Sequence, residues 1–301
     1  MKKGYDHIRQ KLSKDNCQTL ITTLSKIHPI CKLTKILKIP KSTYYYRISS
    51  TENPNKLKRE EMKRKIFKVW DNSHKRYGAP KIHQELLKKG NKCSLKHVQN
   101  LMVEQGIMSI TVKKFRPQRG NEAVEEKSGP NILDQDFSVE KINEKVVGDI
   151  TYIHTKKDKW CYLSSFMDLY NNEIIGWSFS KNMTTDMVLE SLKMACIKRK
   201  DIKGAIIHTN RGSQYTSNAF KDTVKSEGMR LSYSRKGNPY DNTCIESFHS
   251  VLKKELIHHK VYEDFEEAMT DIIEYIENWY NNRRIQKKLG WKSPREYLKA
   301  A

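Results

Sequence analysis

The chain has 301 residues, of which 37% are hydrophobic, and no apolar stretch approaches the roughly 20 residues that a membrane-spanning helix needs. This length predicts two or three domains, and the composition argues against a membrane protein. The net charge of +22 is uneven: residues 1–120 contain 29 Lys and Arg against 8 Asp and Glu, whereas residues 121–301 contain 28 against 27. A basic charge concentrated in this way favours a polyanionic partner, DNA or RNA, over a surface that is merely rich in lysine.

The six cysteines are widely scattered, and none belongs to a C-x-x-C pair. This spacing argues against a disulfide framework and against a thiolate zinc site, and it is typical of reduced thiols in a cytosolic protein. No apolar run follows the basic N-terminus, so no secretory signal is visible. We therefore expect a cytoplasmic protein.

The first candidate DNA-reading unit lies within residues 1–55. The stretch CKLTKILKIPKSTYYYR, residues 31–47, predicts a helix that ends before Pro40, a tight turn and a second helix. Such a pair is typical of a helix-turn-helix, with a plain helical hairpin as the alternative. Lys41 and Arg47, on the second helix, are candidate DNA contacts.

A second helical unit is predicted over residues 56–112. A basic helix comes first, and Pro80 then suits the first turn of a helix that Gly90 ends, while Ser94 begins another. Two helices joined by a turn containing glycine again indicate a helix-turn-helix. The candidate DNA contacts of this unit are Lys81, Lys96 and His97.

Residues 113–140 are polar, contain Pro and Gly, and lack periodicity, so they predict a linker. Residues 141–301 predict one α/β domain. Its first three strands are expected at Val146–His154, Trp160–Asp168 and Glu173–Phe179, and helices alternate with two shorter strands after them. This order favours an RNase H-like fold, a mixed sheet flanked by helices, although the pattern alone allows other α/β folds.

Three side chains of this domain stand out chemically. Asp149 lies inside the apolar strand VVGDITYI, Asn210 ends the strand AIIHTN, and Glu246 lies one turn into the helix TCIESFHSVLKKEL. A carboxylate inside a strand is costly unless it is paired or binds a metal, and strand ends commonly carry working residues. Divalent cations that promote phosphoryl transfer prefer oxygen ligands. A structural role for any one of the three, such as a buried hydrogen bond of Asp149, is the alternative.

Further candidates surround these three positions. His249 and Lys253 share the helical face of Glu246, which suits DNA contact. The loop RKGNPYDN offers three more candidate contacts, or else is a plain turn. These are Arg235, Lys236 and Tyr240. Asp168 could assist a metal, although a turn-capping role is favoured. Contact with DNA or plain solvation is left open for Arg283, Arg284 and Lys287.

Five long stretches resemble one known family. They are GDITYI, FMDLYNNEIIGWS, IIHTNRGSQYTS, SYSRKGNPYDNTCIESFHSVLKKEL and YIENWYNNRRIQKKLGWKSPREYL. Over about residues 60–301 the chain resembles the second-frame product, OrfB, of a large bacterial insertion-sequence transposase family. Its members have a catalytic core similar to retroviral integrases, with an Asp-Asp-Glu triad. The spacing agrees, since 60 residues separate Asp149 from Asn210 and 35 separate Asn210 from Glu246.

The resemblance implies an activity and partners. The triad would hold Mg²⁺, with Mn²⁺ as a substitute, and water would cleave the 3′ end of the element. The freed 3′-hydroxyl would then attack a second phosphodiester directly, and family members typically join the element ends into a circle before insertion. The implied partners are element ends and target DNA, the upstream-frame OrfA protein or a fusion with it, and further copies of the chain on DNA. The implied location is the bacterial cytoplasm, at the nucleoid.

Two departures from the family pattern matter. Asn210 stands where the family has Asp, and Val146-Val147-Gly148-Asp149 stands where the family usually has Trp-x-Thr-Asp. We expect the second departure to affect packing beside the site. The first removes a negative charge from the ligand set, so we expect severe loss of activity. The alternatives are a catalytically silent DNA-binding derivative and, more weakly, an RNase H-like nuclease acting on RNA–DNA hybrids.

Overall fold

The computed structural model describes residues 14–49, 54–111 and 129–300. Three short helices come first and share a small core of Ile21, Leu33 and Tyr44. Pro40 lies between the second and third of them, as the sequence predicts. Their bounds are Lys14–Leu24 (α1), Ile30–Ile36 (α2) and Lys41–Ser49 (α3).

The next three helices form the second predicted unit: Pro54–Asn72 (α4), Ala79–Lys88 (α5) and Leu95–Glu104 (α6). Pro80 occupies the first turn of α5, and the Ser94 hydroxyl accepts a hydrogen bond from the backbone N–H of His97 at the start of α6. The buried side chains of this unit belong to the same apolar core as one face of the α/β domain. The two parts are therefore packed together rather than merely tethered.

The α/β domain contains a five-stranded sheet in the order β3-β2-β1-β4-β5. β1 is antiparallel to β2, and β2 is antiparallel to β3, whereas β4 is parallel to both β1 and β5. The mixed sheet expected from the sequence is confirmed. Its strands span Lys145–Thr155, Lys159–Asp168, Glu173–Ser180, Ile206–Thr209 and Arg230–Tyr233.

Helices cover both faces of the sheet. Thr185–Lys198 (α7), Ser213–Thr216 (α8) and Asn218–Ser226 (α9) pack on one face. Thr243–Glu255 (α10) and Phe265–Ile273 (α11) pack on the other, followed by a π-helical turn at Glu274–Tyr280 and the final helix Pro294–Ala300 (α12). Short 3₁₀ turns lie at Pro239–Asn242, Ile257–His259 and Lys287–Leu289. Across the described ranges, no helix is both long and apolar enough to cross a bilayer.

The described part of the predicted linker, residues 129–140, lies along β5. The backbone N–H of Tyr233 donates to the carbonyl of Pro130, and Leu133 is fully buried. The Ser232 hydroxyl accepts from the backbone N–H groups of Ile132 and Leu133. This segment therefore packs as part of the α/β domain. The rest of the predicted linker, residues 113–128, lies outside the described residues.

Candidate active site

The sheet brings two of the three predicted site residues together. Gly148 on β1 pairs with Thr209 on β4, and the strands run parallel. Asp149 and Asn210 each follow these paired residues, so their side chains meet at the point where the two strands part. Glu246 enters from the first turn of α10, and with Asp149 it lines one cavity.

The carboxylate of Asp149 is held from two sides. Asn210 Nδ2 donates to Asp149 Oδ1 at 2.7 Å, and His249 Nδ1 lies 3.5 Å from Asp149 Oδ2. The other ring nitrogen of His249, Nε2, lies 2.7 Å from the hydroxyl of Ser165, which faces Asp149 across the β1–β2 pair. His249 is buried. The prediction that it touches DNA is therefore replaced by a role in orienting Asp149.

The amide of Asn210 is used at both ends. While Nδ2 donates to Asp149, Oδ1 accepts from the backbone N–H of Gly212 at 2.9 Å. An aspartate in this position could accept from Gly212 but could not donate to Asp149. Two carboxylates this close would repel each other unless a cation lay between them. The hydrogen bond from Asn210 therefore holds its side chain against Asp149. Two carboxylates in these positions would need a bound cation to lie as close together.

Glu246 is exposed and, among the residues described, takes part in no hydrogen bond or ion pair. Partial burial in the cavity and the nearby charge of Asp149 raise the pKa of this carboxyl above its usual value. In the described ranges, no Lys or Arg forms an ion pair with Asp149 or Glu246. Two carboxylates that face one cavity without such a partner fit a divalent cation.

The residue before Asp149 shows why the second departure from the family pattern affects packing. A Cβ atom at Gly148 would lie 2.4 Å from the ring of Phe166. Since Phe166 is fully buried, a larger residue here would require the ring to move. Asn242 Nδ2 also donates to the Gly148 carbonyl at 3.2 Å, which ties the start of α10 to β1.

The loop before α10 is fastened by Asp241, which is fully buried. Arg235 Nη2 donates to Asp241 Oδ1 at 2.9 Å, and Arg235 Nε donates to Oδ2 at 3.1 Å. These bonds hold the pKa of Asp241 well below its usual value. Arg235, predicted as a DNA contact, thus holds this loop in place, while Lys236 and Tyr240 are exposed beside it.

The remaining predicted contacts occupy different environments. Lys41 and Lys96 are exposed, His97 is half-buried, and the side chain of Arg47 lies outside the described residues. Lys253 packs its ammonium 4.4 Å from the centre of the Tyr152 ring. Lys41 and Lys96 are therefore accessible to a polyanion, whereas Lys253 is half-buried.

Lys81 lies at the interface between the second helical unit and the α/β domain. Its Nζ is 3.9 Å from Glu255 Oε1 and 5.0 Å from the centre of the Tyr77 ring. Burial, together with the neighbouring charge of Arg284, lowers the pKa of Lys81 to about 8. Lys81 therefore faces the interior of the molecule rather than an open surface, which does not favour the predicted contact with DNA.

Asp168 caps a turn. It is fully buried, and its carboxylate accepts from the backbone N–H groups of Tyr170 and Asn143 at 3.0 and 3.1 Å. Burial raises the pKa of Asp168 despite these bonds. Its turn-capping role was the one the sequence favoured.

Sequence reasoning missed an ion pair within the α/β domain, beside its contact with the second helical unit. Arg284 donates from Nε and Nη2 to Glu255 at 2.9 to 3.1 Å, and both side chains are largely buried. Arg284 is therefore neither solvated nor a free DNA contact. Glu255 ends α10 in a lysine-rich stretch, so its sequence context resembles that of a surface acid and gave no signal.

Three family models match the chain. An integrase core domain matches residues 140–239, a second integrase core domain matches residues 246–300, and an HTH-like domain matches residues 56–115. A simian T-cell lymphotropic virus intasome in complex with the PP2A regulatory subunit B56 gamma is a loosely similar solved structure. It has a TM-score of 0.44 and 15% identity, and the match covers 77% of this chain and 73% of that one.

Curated relatives match nearly end to end. The transposase for insertion sequence element IS904 of Lactococcus lactis is 37% identical over 243 residues, which are 81% of this chain and 95% of the relative. The putative transposase InsK for insertion sequence element IS150 of Escherichia coli is 33% identical over 279 residues, 92% of this chain and 96% of the relative. The chain therefore belongs to the insertion-sequence transposases with an RNase H-like integrase core, and by family it is a polynucleotidyl transferase.

Proposed function

We propose that this chain is the catalytic subunit for 3′-end cleavage and strand transfer at the ends of an insertion sequence. Hydrolysis of one phosphodiester frees a 3′-hydroxyl. The oxygen of this hydroxyl then attacks the phosphorus of a second phosphodiester, and one sugar hydroxyl of that phosphodiester leaves. The observation that supports this proposal is the pair Asp149 and Glu246. Both carboxylates line one cavity, and neither is paired with a Lys or Arg in the described ranges.

Asp149 and Glu246 would be the charged ligands of Mg²⁺, for which Mn²⁺ could substitute. Asn210 could add a neutral oxygen through the second lone pair of Oδ1, since the first accepts from the backbone N–H of Gly212. When bound, such an ion neutralises charge that develops on phosphate oxygens and lowers the pKa of a ligated water. His249 and Ser165 orient Asp149, so that its carboxylate presents a fixed edge to the cavity.

DNA is the proposed substrate. Basic and aromatic side chains on the helical units and beside the site would contact its backbone. The exposed ones are Lys41, Lys96, Lys236 and Tyr240, and His97 and Lys253 are half-buried. A protein from the upstream frame would supply a further DNA-reading unit, and several copies would assemble on the paired ends. Because phosphate contacts release counterions, binding should weaken steeply with salt.

Asn210 supports a second candidate function, binding to element ends without cleavage. The amide closes the site with hydrogen bonds to Asp149 and from Gly212, and it leaves two negative charges where the family has three. This arrangement favours a chain that occupies element ends without cutting them. Changing even an outer partner of a metal site costs roughly 10–100-fold in metal affinity or activity, so the loss of a ligand charge should cost at least as much.

The deciding experiment compares the chain with its Asn210→Asp variant, each with the upstream-frame protein, on labelled DNA that carries the element ends. We expect Mg²⁺-dependent strand transfer by the variant at roughly 100 times the rate of the parent chain. The absence of joined products from the variant, although it binds the ends, would contradict the proposed activity. Strand transfer by the unaltered chain at the variant's rate would instead exclude the silent derivative.

A further inference from the structure

A cavity of about 680 Å³ extends from the catalytic carboxylates along one edge of β1. β4 pairs only with Lys145–Gly148, so the rest of β1 has no neighbouring strand on this side until a bridge joins Thr155 to Tyr262, as far as the described ranges show. α10 forms the opposite wall. The cavity therefore begins at Asp149 and follows β1 to His154, five steps of roughly 3.3 Å each, or about 17 Å.

The far end of this cavity carries three aromatic rings. Tyr152 and Trp160 are each about half exposed, at 55% and 51%, and their ring centres lie 5.2 Å apart with perpendicular planes. The ring of His154 lies 5.0 Å from that of Trp160. Large aromatic side chains that remain exposed side by side are typical of a binding surface rather than a protein interior.

The wall between the catalytic end and the aromatic end is cationic. Lys253 places its ammonium over the Tyr152 ring, and Lys254 follows it on α10. Neither lysine forms an ion pair with any acid in the described part of the chain. Of the described residues that line the cavity, the carboxylates are the proposed metal ligands, Asp149 and Glu246. An occupant that carries both negative charge and flat apolar rings matches this lining.

A nucleic-acid strand has both properties. Its phosphates complement the lysines, and each base offers a flat face that stacks on aromatic side chains whatever the sequence. A base inside a duplex already stacks on its neighbours, so only an unpaired nucleotide can use such a platform. A protein segment would bury the aromatic rings but would leave the lysines without partners.

We propose that Tyr152 and Trp160 form a stacking platform for an unpaired nucleotide of the DNA strand that is processed at Asp149 and Glu246. Lys253 holds the phosphate next to that nucleotide. The inference rests on the proposed function for the identity of the strand, but the binding itself requires no catalysis. It implies that the DNA end is unpaired, or becomes unpaired, a few nucleotides from the reacting phosphate.

Binding by the full chain to two otherwise identical duplexes tests this inference. One duplex is blunt, and the other has a short unpaired 3′ extension containing the fluorescent base 2-aminopurine. We expect Trp160→Ala to weaken binding of the extended duplex about tenfold and to reduce the quenching of 2-aminopurine. Affinity for the blunt duplex should stay within about twofold, because its paired bases cannot reach the platform.

Two variants complete the test. Trp160→Phe keeps an aromatic face and should restore most of the affinity for the extended duplex. Ile197→Ala removes a different exposed apolar side chain, on α7, and should change neither affinity. Unchanged binding and quenching in Trp160→Ala and Tyr152→Ala would overturn the inference, as would an equal loss on both duplexes. Failure of strand transfer by Asn210→Asp would leave these binding results intact and would count against the proposed function alone.

Discussion

The two ends of α10 carry the same residue type in opposite states. Glu246, in the first turn, is exposed and has no ion pair among the described residues, and partial burial in the cavity together with the charge of Asp149 raises its pKa. Glu255, in the last turn, is buried. Burial raises its pKa, but the charges of Arg284 and Lys81 and the hydrogen bonds from Arg284 and Tyr275 together lower it below its usual value. Tyr275 and Trp279 also donate to Glu255, at 3.0 and 3.3 Å.

This difference separates a structural acid from one available to a ligand. The fold satisfies every oxygen of Glu255 with its own donors, so no bound cation is needed there. It leaves Glu246 facing Asp149 without such donors, so the repulsion between them can be relieved by a cation from solution. Glu246 and Glu255 lie nine residues apart on one helix, about 13 Å. The second helical unit contacts α10 near Glu255 and the cavity lies at Glu246, so both regions share this helix.

The largest effect is expected at the buried end. Glu255→Ala should destabilise the protein by about 3–5 kcal/mol, because it leaves Arg284 buried without its partner. Glu246→Ala is the matched control on the same helix and should change stability by no more than about 0.5 kcal/mol. Urea denaturation of both variants measures the difference. Equal losses of unfolding free energy in the two variants would show that Glu255 is no more important to stability than Glu246.

A substitution at Glu246, the exposed end of α10, should lower the activity and leave the stability unchanged. In the Asn210→Asp background, Glu246→Gln should reduce strand transfer by roughly 100-fold or more, since it removes a ligand charge. The melting temperature should not fall. Glu227→Gln, at an exposed position after α9, is the control and should preserve the rate. A rate that survives Glu246→Gln would show that this carboxylate does not serve the reaction.

The sequence predicted the regular part of this comparison well. The strand β1 and helix α10 were expected at nearly their observed bounds, because apolar alternation and the stripe of Ile245, Phe248 and Leu252 are local signals. The positions of Asp149 and Glu246 followed from these elements and from the family pattern. Parallel pairing of β1 with β4 then accounts for the proximity of Asn210.

What the sequence could not predict depends on contacts between distant segments. The helix α11 widens into a π-helical turn after Ile273, where Tyr275, Ile276, Trp279 and Tyr280 are all buried. Glu255 and Arg284 are 29 residues apart, and Lys81 of the second helical unit lies 3.9 Å from Glu255. His249 similarly has the spacing of a surface residue on α10, and only the fold places it between Asp149 and Ser165.

A smaller effect is expected from the tyrosine that joins the helical unit to the α/β domain. The Tyr77 hydroxyl donates to the carbonyl of Arg283 and accepts from the backbone N–H of Ile285, both at 2.9 Å. Tyr77→Phe should cost about 1–2 kcal/mol, because both backbone groups lose a partner in a buried setting. Tyr240→Phe, at an exposed position, should be neutral. Thermal denaturation measures both variants, and equal melting temperatures for Tyr77→Phe and Tyr240→Phe would contradict this expectation.

The smallest effect concerns the pH dependence of the interface. Burial, with the charge of Arg284, lowers the pKa of Lys81 to about 8 from an ordinary value of 10.5. Between these two values the unfolded chain binds more protons than the folded one, so stability should rise with pH across this window. Below pH 8 both states are protonated, and the folded state bears the full cost of a buried charge.

Lys81→Met should therefore be more stable than the parent chain at pH 7, by about 1 kcal/mol after allowance for partial solvent access. This advantage should shrink as the pH rises from 8 towards 10.5, because the parent chain then loses the buried charge. Lys254→Met is the control. It removes the lysine next to Glu255 on α10 and should leave the dependence of stability on pH unchanged. Denaturation across this range measures all three proteins, and parallel profiles for the parent chain and Lys81→Met would show that Lys81 keeps its proton in the fold as readily as in water.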